Sequence, residues 1–306
     1  MIWTTWRQHR AEAAVWAIIL AGLVAAMLAV GSIARSRASA LGLPGCTTRD
    51  GNCNDALDAL HRAFHTIPPF TAALIAIPLL AGMFWTAPLV SGEYEAGTHR
   101  LAWTQTVSPL RWITVKIVLI FGALAGLALI LGLLAAWTLD PLTAAFGGRY
   151  NSTWYDTQGI VPVACMLFAL ALGVAASALI RRTIPAMAVT LIVYAAVRIP
   201  IHWIRGNFWP AVTHTYNVDV ATLLQRRIGP LQDGYLSTLT PGDWIQTATI
   251  AACKPKVAGL TLHETVTYQP AAHFWPIQTV ETVIFVALAA LLVIVAVLTV
   301  ARRRPS

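Results

Sequence analysis

The chain has 306 residues, 57% of them hydrophobic and only 11% charged, with a formal net charge of +8. Soluble domains carry roughly 25% charged residues. That balance, with a mean hydropathy of +0.66, excludes a disordered chain, a coiled coil and an ordinary cytosolic enzyme, and implies an all-α polytopic membrane protein.

A helix crossing the hydrocarbon core needs about 20 mostly apolar residues. Six runs qualify: 13–33, 67–89, 117–139, 160–180, 184–204 and 277–301. Ahead of the first, residues 1–12 carry Trp3, Trp6 and Arg10 at helical spacing. Tryptophan favours the headgroup level and arginine the anionic inner leaflet, so this segment is expected to be an interfacial helix or a flanking anchor. Ala38-Ser39-Ala40 resembles a cleavage site. The apolar run before it exceeds the roughly 7–15 residues of a signal peptide, and Arg35 and Arg37 intervene. A retained span is therefore expected.

The first outer loop, 34–66, holds Cys46 and Cys53 on either side of Asp50-Gly51. A turn between two cysteines in an oxidising compartment predicts a Cys46–Cys53 disulfide. Free thiols, or a pairing with Cys253, are the alternatives. His61 and His65 lie four apart but lack further ligands, so no metal site is expected. Cys165 falls mid-span, where a thiol behaves as a small apolar group.

The second run contains Pro68, Pro69, Pro78 and Pro88, which predicts kinks. It opens into an inner loop, 91–116. Ser91 suits a helix cap, Glu93 and Glu95 favour a helix N-terminus, and Gly97 punctuates. A short helix over 92–96 is expected. Ser108-Pro109 starts the third helix, with serine as cap and proline at its first position. Extending to Leu139, that helix is about 46 Å long and outruns a roughly 30 Å core. Gly122-x-x-x-Gly126 in the third span and Gly173-x-x-x-Ser177 in the fourth permit close helix approach and are expected to be packing faces.

The fifth run is the least apolar; Arg198, Pro200 and His202 follow its clean stretch. Residues 205–276 form the largest soluble piece, expected to be a small cap over the outer mouth. It has turn signals at Asp233-Gly234 and Pro241-Gly242 and a candidate strand over 261–268. The aromatic Phe274-Trp275-Pro276 leads into the sixth run. Glu281 sits about one turn inside it. A charge at that depth needs a partner or water, so Glu281 is expected to share a polar network with Arg198.

Basic residues orient the bundle. If the N-terminus is cytoplasmic, the inner segments are 1–12, 91–116, 181–183 and 302–306. They hold Arg7, Arg10, Arg100, Arg111, Lys116, Arg181, Arg182, Arg302, Arg303 and Arg304, against Glu12, Glu93 and Glu95. Both termini are therefore read as cytoplasmic. The excess charge reflects orientation in a lipid bilayer, with no nucleic-acid partner implied.

A P-loop needs Gly-Lys-Ser/Thr. The three lysines, Lys116, Lys254 and Lys256, follow Val115, Cys253 and Pro255, so no such site exists on this chain. No His-Glu-x-x-His occurs, and the cores of the first four runs hold no ionisable residue of the kind a proton relay uses.

Glu93-x-Glu95-x-Gly97-Thr98, with Thr106-Val107-Ser108-Pro109-x-Arg111 and Lys116, resembles the cytoplasmic loop of ABC type-2 transporter permeases. Met1-Ile2-Trp3-x-x-Trp6-Arg7-Gln8, and Tyr268-Gln269-Pro270 through Phe274-Trp275-Pro276 to Glu281, resemble an actinobacterial branch of that family. His273 departs from the pattern, standing where arginine is expected.

The resemblance implies a six-span permease subunit of an ATP-driven exporter in a bacterial plasma membrane. It implies a second permease copy or paralogue, and a separate cytoplasmic ABC ATPase docked through Glu93, Glu95, Gly97, Thr98, Ser108 and Arg111. It implies no enzyme activity, cofactor or metal on this chain. A non-transporting membrane anchor or assembly protein and an ion-coupled secondary transporter are the other classes.

Overall fold

A computed structural model of the chain describes residues 2–43, 51–65, 67–95, 109–146, 148–219, 244–250 and 261–302. Nine α-helices lie among them: α1 (Ile2–Ala40), α2 (Gly51–Phe64), α3 (Ile67–Ala81), α4 (Ala87–Glu95), α5 (Pro109–Leu139), α6 (Ser152–Tyr155), α7 (Val161–Ile180), α8 (Thr183–Ile204) and α9 (Phe274–Ala301). Six stretches among the described residues are long and apolar enough to cross a membrane: Ile18–Ala40, Thr71–Glu95, Ile113–Leu142, Val161–Ile180, Thr183–Asn207 and Ala271–Ala301. The chain is a multi-pass, helical membrane protein, and six spans put both ends on one side.

Two boundaries differ from the sequence expectation. The helical segment ahead of the first span is continuous with it, because α1 runs unbroken for 39 residues. It contains neither proline nor an internal break, so nothing stops propagation from the apolar run into its polar flanks. For the same reason the first span reaches Ala40 rather than ending at residue 33. The loop 34–66 is largely helical too, since α2 fills its second half. Arg35 anchors the outer end of α1: its guanidinium stacks 3.8 Å from the Trp137 ring centroid and donates to the Trp137 carbonyl.

The second span is split. Between α3 and α4 lies a π-helical turn, Gly82–Thr86, closed by Ala87 N–H donating to the Gly82 carbonyl. Pro88 follows at once. It has no N–H, and in a regular helix its ring would strike the Phe84 carbonyl, so widening the preceding turn relieves that clash. Thr86 Oγ1 also donates to the Gly82 carbonyl (3.0 Å).

At the centre stands α7, with fifteen of its twenty residues buried. It is rich in alanine, so neighbouring backbones approach closely. The π turn packs directly on Gly173: a Cβ there would fall on Thr86 Oγ1 and the Gly82 carbonyl. We expect Gly173→Ala to be destabilised by about 1–3 kcal/mol through overpacking, measured by thermal unfolding of purified protein. An unchanged transition would mean that this contact yields freely. Gly122 and Gly126 behave otherwise. A Cβ at either meets nothing within 4 Å among the described residues, so no described helix packs closely on them.

The outer cap contains a three-stranded antiparallel sheet of β1 (Val212–Asp219), β2 (Trp244–Ile250) and β3 (Thr261–Gln269), in the order β1-β3-β2. Gln269, fully buried, fastens this sheet to the bundle, its Nε2 donating to the Trp209 (2.7 Å) and Gly206 (3.0 Å) carbonyls. His273 Nδ1 lies 2.8 Å from Gln269 Oε1, so the residue that departs from the family pattern helps to hold this joint.

Candidate functional site

Two polar constellations interrupt the apolar bundle, one at each end. The outer one joins the turn ahead of α7 to α8, its extension and α9. Arg198, His202 and Arg205 recur at helical spacing and so share one face of α8 and its extension. Arg198 Nη1 donates to Glu281 Oε1 (2.5 Å), and Arg198 Nη2 lies 2.6 Å from Asp156 Oδ1. Arg205 Nη1 donates to the same Asp156 oxygen (2.7 Å), and His202 Nδ1 lies 2.9 Å from Asp156 Oδ2. The Arg198, Glu281, Asp156 and Arg205 side chains are all at most 9% exposed. Two carboxylates balance two guanidiniums. That balance permits burial, because an unmatched charge there would be costly.

Neighbouring groups complete the setting. The Arg205 guanidinium lies 4.3 Å from the Tyr155 ring centroid, and that of Arg198 lies 5.5 Å from Phe285. Gln278, one turn outward of Glu281, caps the start of α7. Its Oε1 accepts from Ile160 N–H (2.9 Å), while its Nε2 donates to the Gln158 carbonyl (3.0 Å). Gly159 makes this possible. Its φ is +73°, and a Cβ there would overlap the Gln278 amide.

Asp156 is the hub. Burial opposes its charge. The His202 hydrogen bond and the Arg198 and Arg205 charges outweigh that burial and hold its carboxyl below the usual carboxylate range. The sign follows for a depressed carboxylate: its contribution to stability is fully present above the unfolded value, about 3.9, and is lost as pH falls through the lower folded value. We therefore expect wild-type stability to decline on the acid side of roughly pH 4 and Asp156→Asn to flatten that decline. Thermal unfolding across a pH series measures it, and an unaltered acid slope in the variant would contradict it.

The inner constellation gathers the end of α4 and the α7–α8 corner. Ser177 Oγ accepts from the N–H groups of Ser91 (2.7 Å) and Val90 (3.1 Å). Ser91 Oγ and Thr183 Oγ1 are 3.1 Å apart. Glu95 then caps α8 from outside: its carboxylate accepts from Thr183 N–H (3.0 Å) and Thr183 Oγ1 (2.7 Å). Glu93 pairs with Lys116 on α5. Residues 92–95 thus continue α4 and form no separate helix. Both glutamates bond within the chain, because donors on α5 and α8 lie within reach. Arg111 is exposed on the first turn of α5. Gly97, Thr98 and Ser108 lie outside the described residues.

Cys53 is buried and held in a disulfide, and Cys165 is a buried free thiol. Cys46 and Cys253, the candidate partners, lie outside the described residues. His61 and His65 turn to carbonyls, with Nδ1 atoms 3.0 Å from Ala145 O and 2.8 Å from Arg62 O. Both constellations position helices.

Comparison with known proteins fits this architecture. The family model described as "ABC-2 membrane transporter related" matches residues 17–205, more than half the chain. No curated protein and no solved structure matches it. With six spans and a polar knot at each end, the chain belongs to the ABC-2 membrane transporter related family.

Proposed function

We propose that the chain is the membrane-spanning subunit of an ATP-driven exporter in a bacterial plasma membrane. Two such units, identical or paralogous, form the path. A separate cytoplasmic ABC ATPase binds and hydrolyses ATP. The family match over the first five spans carries this reading. The inner constellation supports it: the segment following Glu95 leaves a point bonded to three helices, α5, α7 and α8. A push there would reach all three at once. The charge bias places that end on the cytoplasmic side, where ATP is available.

The test is co-expression of the tagged chain with its candidate ATPase, followed by reconstitution into vesicles. Retention of the ATPase, and vesicle-stimulated ATP hydrolysis that depends on the permease, are expected. A correctly inserted chain that retains no ATPase and leaves hydrolysis unchanged would favour a plain membrane anchor.

A further inference from the structure

Arg181 closes α7 with a φ of +61° and, glycines aside, is alone among the described residues in having a positive φ. This is the left-handed position that ends many helices, and glycine occupies it without strain. An L side chain there crowds its own carbonyl. A strained position that keeps a long, charged side chain points to a use for that side chain.

Its placement narrows the use. Arg181 and Arg182 are both exposed and make up the corner between α7 and α8. Hydrogen bonds through Ser177 and Thr183 fix that corner to the end of α4. The Arg181 guanidinium lies 5.6 Å from the ring centroid of Tyr94, the penultimate residue of α4. The cation is therefore held against the last turn of α4, one residue before that helix ends. A headgroup contact would require neither strain nor a fixed direction, because long basic side chains reach the interface by snorkelling.

We propose that Arg181 and Arg182 form a second docking contact for the cytoplasmic ATPase, receiving an acidic patch of that partner beside the end of α4. This rests on the ATPase-driven reading above. A basic corner rigidly joined to the loop exit would give the partner two handles on one body. Displacing the partner would then move α4, α7 and α8 together.

The experiment compares wild type, Arg181→Gly, Arg181→Lys and Arg182→Gln, each co-expressed with the ATPase and purified into nanodiscs of phosphatidylcholine with or without phosphatidylglycerol. Arg181→Gly removes the strain with the side chain, so its melting temperature should equal or exceed that of wild type. Its affinity for the ATPase should fall by about tenfold, the equivalent of one charge-assisted contact. Arg182→Gln should weaken retention likewise, and Arg181→Lys should retain most of it. Losses should be the same in both lipid compositions. If wild type holds the ATPase and the Gly and Gln variants hold it equally well, the second contact is overturned and the docking reading stands. If retention is unchanged but stabilisation by phosphatidylglycerol disappears, the corner belongs to lipid and the proposal is overturned. If wild type holds no ATPase, both fail.

Discussion

Replacing Arg198 with leucine is expected to cost about 3–5 kcal/mol, the usual penalty for removing one partner of a buried ion pair. The guanidinium bridges Glu281 and Asp156, and Glu281 is fully buried. Without Arg198, Glu281 loses its cation, and Asp156 keeps only Arg205 and His202. The double variant Arg198→Leu with Glu281→Leu removes one charge of each sign and leaves Asp156 balanced by Arg205. It should therefore be much more stable than the single variant, with a coupling of roughly 0.5–3 kcal/mol in the double-mutant cycle. Thermal or denaturant unfolding of the purified chain supplies all four corners. Additive losses would mean that the two residues act separately. A single variant indistinguishable from wild type would mean that water already screens the pair.

That cluster also separates what the sequence makes legible from what it does not. Arg198 and Glu281 stand out because each is a lone charge within an apolar run, and cost alone suggests pairing. Asp156 gives no such signal. It lies in a turn between spans, where an acidic residue is ordinary, and only the fold brings it beneath α8. The spacing of Arg198, His202 and Arg205 was the available hint, since three basic groups on one helical face need a counter-charge. The spans were readable because twenty apolar residues in a row have few other uses. Their ends were less so. Helicity in α1 propagates past the apolar run, and the π turn before Pro88 depends on the glycine of another helix, Gly173. The glutamates of the inner loop were legible as charges but not as partners. Lys116 lies 23 residues beyond Glu93, and Thr183 lies 88 beyond Glu95.

The glutamate contacts lead to a test of how force enters the bundle. Glu93 pairs with Lys116, and both side chains are 29% exposed. The pair by itself is worth only about 0.2–1 kcal/mol in stability. On the reading proposed above, it holds the end of α4 against α5 where a docked ATPase would push. Glu93→Lys is expected to insert normally but to retain the ATPase several-fold less well, since two adjacent cations drive α4 and α5 apart. The exchange Glu93→Lys with Lys116→Glu restores the attraction with its polarity reversed. If the pair positions the loop, the exchange should recover most of the retention and transport. If instead Glu93 meets the ATPase directly, the exchanged protein should be as defective as Glu93→Lys, because a cation would still face the partner. Glu95 is tested in parallel. Glu95→Gln keeps a carbonyl to accept from Thr183 N–H and should couple nearly normally. Glu95→Lys loses that acceptor and should loosen the corner that carries Arg181. Equal defects in Glu95→Gln and Glu95→Lys would show that the charge, and not the cap on α8, is what coupling uses.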